Sequence, residues 1–342
     1  TLGLHIFDVS NLYSLSLISS CNTPGDAFDV VVQDSIAYVT DLFDDSVVVP
    51  MGERGSGLQV IDVSNPYSPF IVGSSDTPRR PESLFVQDSV VYEADDEMIV
   101  IDVSSPSSPS VMGSFTTRSN AKGVFVQGSL VYVADDYRGL SIYEYIFVPA
   151  EASSIPTTVP TSIPSVIPSF SPTTMPSAVP TRDPTFVPSI SPRRYNVETN
   201  LQGLYQTPDD ARKLFIQDNM AYVVDGDRLN IINVSNSSSP SLMGSYETPS
   251  FASDVFVQDY IAYVADFSTK TLLLIDVSNP YSPSLMSSFS TPIYIYVCMI
   301  KSHYYHDLKI VIHCQYYSSI AHRVVVAFFC LKPFILCSIV YN

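Results

Sequence analysis

Residues 255–266 read VFVQDYIAYVAD. Two short runs of β-branched and aromatic residues, 255–257 and 261–264, flank the pair Asp259-Tyr260, which has the length of a two-residue hairpin turn. The segment recurs as VVVQDSIAYVTD (30–41), LFVQDSVVYEAD (84–95), VFVQGSLVYVAD (124–135) and LFIQDNMAYVVD (214–225). Gln87 and Gln127 are 40 residues apart, and Gln217 and Gln258 are 41 apart. A second block follows each copy: IFDVSN (6–11), VIDVSNPYSP (60–69), VIDVSSPSSP (100–109), IINVSNSSSP (231–240) and LIDVSNPYSP (274–283). A third closes the unit, as in VMGSFTTR (111–118) and LMGSYETP (242–249).

Each unit reads as four short strands. The "VIDV" strand is almost continuously apolar, as expected of a strand covered on both faces, and Asn-Pro or Ser-Pro ends it because proline cannot donate to a ladder. Nothing in the repeats has a 3.6-residue period. Four-stranded sheets repeating at about forty residues, each needing a neighbour to cover its apolar face, predict an all-β fold, a β-propeller. Third strands around Phe7, Ile61, Ile101, Tyr143, Ile232 and Ile275 predict about six four-stranded blades. The first unit lacks its first two strands, which a closed ring would draw from the C-terminal end.

The run AYVAD…GLxVIDVSNPxxP, seen in 36–41 joined to 57–69, in 131–142 and in 261–283, resembles the LVIVD repeat family of β-propellers over residues 1–148 and 195–292. The resemblance implies a secreted or surface protein, and it brings no established catalytic motif. Glu144 and Asn233 depart from it where the repeat has Asp, and the C-terminus is unmatched.

Residues 149–194 change character. Proline recurs every fourth residue from Pro156 to Pro192, with Ser or Thr after nine of the ten. Such a segment cannot bury a core and reads as a disordered, extended, polyproline-like stalk, resembling the Pro/Ser/Thr stalks of mucin-like and cell-wall proteins. In ordinary repeats the "IDVS" acid precedes the "MG" glycine by 11 residues, as Asp102 does Gly113, whereas Glu144 precedes Gly203 by 59. The insertion of 48 residues therefore sits inside one blade, after which the repeat resumes in phase. A long loop on one propeller is expected rather than two separate repeat domains.

The tail, 293–342, is atypical: it is hydrophobic and holds four of the five cysteines and four of the five histidines. It is expected to pack poorly against the repeats. Stretch 324–341 is apolar enough to suggest a membrane anchor, with Lys332 and Pro333 near its centre arguing against one. The chain opens inside a repeat and reads as a fragment. Its net charge is -17, and residues 1–293 sum to -20, which repels nucleic acid and anionic membrane.

No GxSxG, HExxH, CxxC, GxGxxG or P-loop pattern occurs, and His5 is the only histidine before the tail, so triads and His-ligated metals have little raw material. The acids that end each second strand (Asp41, Asp95, Asp135, Asp225 and Asp266, with Asp96, Asp136 and Asp227 beside them) fall on one rim of a propeller. Clustered carboxylates would suit a hard cation, and calcium is the one such a rim would take; otherwise the acids solvate loops. No other cofactor is expected. The long connection after Asp41 adds Asp44, Asp45 and Glu53 to that rim as a binding loop. Asp8, Asp62, Asp102 and Asp276 read as turn-formers, and Tyr38, Tyr92, Tyr132, Tyr222 and Tyr263 as packing. Asn233 and Asn236 head glycosylation sequons that matter if the chain is secreted. The expected function is non-catalytic extracellular or cell-surface recognition or adhesion of a protein or glycan ligand. A propeller-cleft hydrolase or lyase acting on a glycan or ester, or a purely structural wall component, are the competing classes.

Overall fold

Four of the two-residue turns place both residues at positive φ: Asp34/Ser35 (50°, 67°), Asp88/Ser89 (50°, 62°), Asp218/Asn219 (51°, 62°) and Asp259/Tyr260 (50°, 62°). That is the φ pattern of the type I′ hairpin, whose twist matches the strands it joins. These turns recur through the computed structural model, which describes residues 3–8, 16–42, 57–77, 81–149, 195–290, 294–301, 309–315 and 324–330.

Described residues begin with a hairpin, β1 (Leu4–Asp8) and β2 (Ser16–Cys21). Five four-stranded antiparallel blades follow. The first is β3 (Asp26–Gln33), β4 (Ile36–Leu42), β5 (Gly57–Asp62) and β6 (Phe70–Asp76); the second is β7 (Ser83–Gln87), β8 (Val90–Ala94), β9 (Glu97–Asp102) and β10 (Ser110–Thr116). The third is β11 (Gly123–Gln127), β12 (Leu130–Ala134), β13 (Leu140–Pro149) and β14 (Tyr195–Tyr205). The fourth is β15 (Ala211–Gln217), β16 (Met220–Asp225), β17 (Arg228–Asn233) and β18 (Ser241–Glu247), and the fifth is β19 (Ala252–Gln258), β20 (Ile261–Asp266), β21 (Thr271–Asp276) and β22 (Ser284–Ser290). The first strands neighbour one another in the sequence β3, β7, β11, β15, β19, which makes them the inner wall of a β-propeller. About six blades are expected from the repeats; among the described residues the structure has five four-stranded ones, and the β1–β2 hairpin is joined to the first of them through three further strands of the same sheet.

Three tail strands, β23 (Tyr294–Lys301), β24 (Lys309–Gln315) and β25 (Val324–Cys330), pair antiparallel with each other. β23 lies against both β19 and β3, pairing in parallel at Ile300↔Val32 and Lys301↔Gln33, and β25 meets β1 at Ile6↔Val326. The expected separation of the tail from the repeats is thus corrected along these strands: a run such as YIYVCMI has the β-branched and aromatic content of a strand, and edge backbone groups seek partners. The 324–330 part of the apolar stretch is strand, and its remainder lies outside the described residues. Among the described residues no helix is long and apolar enough to cross a membrane.

Blades stack through their apolar faces. Tyr38, Leu58 and Val60 of the first blade pack on Leu84, Val91, Ile99 and Ile101 of the second, and each later seam repeats the pattern. Leu229, Ile231 and Ile232 of β17 are fully buried, each stabilising the fold by about 1.5–3 kcal/mol relative to an exposed side chain. Seams also close at the rim through backbone. A Cβ on Gly203 would sit 2.0 Å from the Ser237 carbonyl oxygen in the next blade, and one on Gly244 would sit 2.4 Å from that of Pro280. The recurring "MG" is therefore a contact point between neighbouring blades.

β13 and β14 stay paired out to Pro149↔Tyr195, so the two flanks of the proline-rich insertion meet at the end of one hairpin in the third blade. In an antiparallel four-stranded blade the connections after strands one and three share one face, and those after strands two and four share the other. The strand ends that flank the insertion, Pro149 and Tyr195, are thus at one face, and those that flank 43–56, Leu42 and Gly57, at the opposite one.

Candidate functional site: the mouth of the central channel

Each second strand ends in an aspartate that is buried and occupied. Asp135, fully buried, accepts hydrogen bonds from the Arg118 N–H (3.1 Å), the Ser119 N–H (2.9 Å) and the Ser141 hydroxyl (2.8 Å). Asp225 accepts from the Asp209 N–H (2.9 Å) and the Asn230 amide (2.6 Å), and Asp266 from the Ser250 N–H (2.8 Å) and the Thr269 N–H (3.1 Å). Asp41 accepts from the Gly25 N–H (2.8 Å), and Asp95 from the Asp96 N–H (2.6 Å). Gly25, Ser119, Asp209 and Ser250 each stand sixteen residues before their aspartate, in the turn that enters its blade. A threonine closes each of those turns, as Thr207 does on the Asp209 carbonyl at 2.7 Å. Burial pushes Asp41 and Asp225 up to about 6, outweighing these hydrogen bonds.

Asp41, Asp95, Asp135, Asp225 and Asp266 lie on one face but do not converge, because each is the anchor of a separate turn; among the described residues no three His, Cys, Asp or Glu side chains gather as a metal site. Asp44, Asp45 and Glu53 lie outside the described residues. Asp62, Asp102 and Asp276 accept the N–H two residues on at 2.8–2.9 Å, as turn-formers do. The five strand tyrosines are all buried. Asn236 is exposed and Asn233 half-buried, each bonded within its own turn.

What sequence reasoning missed lies on the inner strands. Two positions before the aromatic of "VFVQ" stand Asp29, Ser83, Gly123, Lys213 and Asp254, one per blade in the same register. They form a ring at the mouth of the channel, over a second ring of Val31, Phe85, Phe125, Phe215 and Phe256. A cavity of about 80 Å³ between them is lined by four of the first ring and all five of the second. Phe85–Phe125, Phe125–Phe215 and Phe215–Phe256 have centroids 4.5, 5.4 and 4.9 Å apart, the tilted and edge-on contacts aromatic rings favour. Lys213 reaches from the fourth blade to Asp29 of the first (2.8 Å) and to the Ser83 hydroxyl (2.7 Å) and Glu82 carbonyl (3.4 Å) of the second. Lys122 pairs with Glu82 beside it. The available signal was variation: the position reads Asp, Ser, Gly, Lys and Asp from blade to blade while the segment after it, VFVQ or a close variant, repeats.

In the described residues of the five blades every cation (Arg118, Lys122, Arg138, Arg212, Lys213, Arg228 and Lys270) sits at the mouth face. Among the same residues of the five blades, the opposite face carries Asp34, Asp62, Asp88, Asp102, Asp218, Asp259 and Asp276 and no cation.

Stacked four-stranded meanders around a filled channel define a β-propeller. The chain belongs to the LVIVD repeat family, whose model matches residues 2–23, 51–77, 82–117, 119–143, 208–248 and 251–291, more than half of the sequence. No curated protein matches it. Among solved structures it is similar to a periplasmic gluconolactonase of Pseudomonas aeruginosa (TM-score 0.60, 8% identity, 96% of this chain and 95% of that one). It is also similar to a putative 6-phosphogluconolactonase of Bacteroides fragilis (0.58, 8%, 92% and 90%) and to the WD40 propeller domain of Doa1 (0.53, 9%, 91% and 82%). At such identities these likenesses show the fold alone.

Proposed function

We propose that the protein is a non-catalytic recognition or adhesion module acting outside the cell or at its surface, its propeller presenting the mouth face to a protein or glycan while the proline-rich insertion serves as an O-glycosylated spacer. The observation that carries this reading is the opposition of the two faces: the insertion roots in the hairpin ending at Pro149↔Tyr195, and the ring of Asp29, Ser83, Lys213 and Asp254 opens on the other side. A cavity of about 80 Å³ is well under the roughly 300–1,000 Å³ of ordinary small-molecule sites, which favours contact at the mouth over engulfment of a substrate. Lys213 and Asp29 face each other as a pair, and an ion pair held so is a poor general base or nucleophile. Asn236, which is exposed and heads a sequon, would carry an N-glycan in that setting.

The purified chain should bind defined members of a protein and glycan array and turn over none of a set of esters, lactones and polysaccharides. Steady turnover of any of them, lost on mutating the mouth ring, would move the protein to the enzyme class that its lactonase-like fold neighbours represent.

A further inference from the structure

We propose that the channel mouth binds the terminal unit of a neutral, polyhydroxylated ligand such as the non-reducing end of a glycan. Lys213 and Asp29 would share its hydroxyls and the phenylalanine ring beneath would take its C–H face. The proposal rests on the recognition reading and names its ligand class and site.

The chemistry follows from the two rings. Lys213 and Asp29 are mostly buried, with side chains 16% and 17% exposed, and hold each other at 2.8 Å. An incoming cation or anion would satisfy one partner and strand the other in a poorly solvated place. A hydroxyl both donates and accepts, so it can enter between ammonium and carboxylate and leave each with a partner. Ser83 and Asp254 extend the same mixed character around the mouth, and Lys122–Glu82 adds a neutral pair. Phe85, Phe125, Phe215 and Phe256 then supply an apolar floor, which neither a free phosphate nor a metal ion would use. A space of about 80 Å³ admits one edge of a sugar ring and not an oligosaccharide, so the rest of the ligand must project from the mouth face. That is the face opposite the insertion.

The test uses the full chain and saturation-transfer NMR with calorimetry against glucose, galactose, mannose and glycerol, with glucuronate, glucosamine and inorganic phosphate as charged comparators. At least one neutral sugar should bind in preference to its charged counterparts. The double substitution Lys213→Met, Asp29→Asn removes both members of the pair together; it should weaken binding by roughly tenfold or more, the equivalent of about one lost hydrogen-bond pair. Phe215→Leu should weaken it less, and Tyr281→Ala on the opposite face should leave it unchanged. If the double variant does not fold, as judged by melting, Ser83→Ala and Asp254→Asn carry the same expectation singly. Absence of binding by every neutral sugar at tens of millimolar, or affinity unaltered by the mouth variants, overturns the proposal. In that event array binding of another ligand leaves recognition standing, whereas hydrolysis of a lactone or ester removes both.

Discussion

The second and third blades are built on one pattern and solve it differently. In the third, Asp135 gathers two backbone N–H groups and the Ser141 hydroxyl, and Val133 fills the seam beside it, fully buried. In the second, Ile99 stands where Ser141 does and Glu93 stands where Val133 does. Glu93 is fully buried, with the Thr77 side chain beside its carboxyl and no cation offsetting its charge. Burial pushes it up to about 8, against the lowering influence of Thr77 and with Asp95 adding to the rise. Val39, Val223 and Val264 hold the same position in the other blades, all buried. A repeat therefore tolerates one costly substitution where the remaining seams are sound, and stability is spread unevenly around the ring.

The largest contrast should come from the anchors. Asp135→Ala leaves three donors without their acceptor in a dry site and should cost about 3 kcal/mol, since buried groups left unpaired cost about 1–3 kcal/mol each and the turn can recover part by shifting. Asp95→Ala should cost less, because Ile99 offers no hydroxyl where Ser141 donates one. Urea titration of both variants checks the order, and equal losses would mean the anchor is not what differs between these blades.

The seams come next. Gly203→Ala drives a Cβ to 2.0 Å from a backbone oxygen, whereas Gly113→Ala meets the Val197 Cγ2 at 2.9 Å, a side-chain atom that can turn away. Overpacking costs about 1–3 kcal/mol, so the third-blade change should fall at the upper end and the second-blade change at or below the lower. Comparable melting temperatures for the two would break the claim that the glycine serves backbone contact.

The Glu93 seam predicts a pH dependence with a definite sign. Its folded value, about 8, lies above the ordinary 4.5, so between those values the native state holds a proton that the unfolded state does not. Stability is then full below about pH 4.5 and falls as pH rises towards 8. Asp41 and Asp225 act with the same sign, but only from 3.8 to about 6. The interval from pH 6 to 8 therefore isolates Glu93 in a difference between variants. Glu93→Val should be more stable than the parent by about 1–2 kcal/mol at pH 8 and should flatten that interval. Thermal melts of the two proteins at pH 5, 6, 7 and 8 decide it, and parallel curves would refute the assignment.

How much of this was legible in the sequence varies with its cause. Strands, type I′ turns and the in-phase return at Gly203 are local or periodic properties, and "VQDS" and "MG" state them directly. The aspartates were visible as a series, but a series says nothing about whether carboxylates converge. That depends on the turn sixteen residues upstream, which reaches Asp41, Asp135, Asp225 and Asp266 before any neighbour can. The mouth ring was hidden for the opposite reason: Asp29, Ser83, Gly123, Lys213 and Asp254 form no uniform series, and only closure of the inner strands around an axis brings positions 29 and 213 together. The tail strands were missed because their sequence breaks from the repeat while keeping strand composition.

The smallest effect belongs to the hairpin turns. The third blade turns at Gly128-Ser129, where only Gly128 has positive φ (62°), and glycine occupies that region without a Cβ clash. The second turns at Asp88-Ser89 with both residues positive, so Ser89 at 62° bears a left-handed conformation that a serine side chain disfavours. The fourth blade meets the same requirement with Asn219 at 62°, and asparagine enters this region more readily. Ser89 is exposed, so a larger side chain there meets no packing penalty. Ser89→Asn should therefore stabilise the protein by about 0.5 kcal/mol, through better agreement between residue and turn and with no new contact. Ser129→Asn in the third blade should gain nothing, because position 129 is not at positive φ. Denaturant midpoints for the two variants, at unchanged slope, make the comparison, and a gain at 129 matching that at 89 would show that turn conformation is not its source.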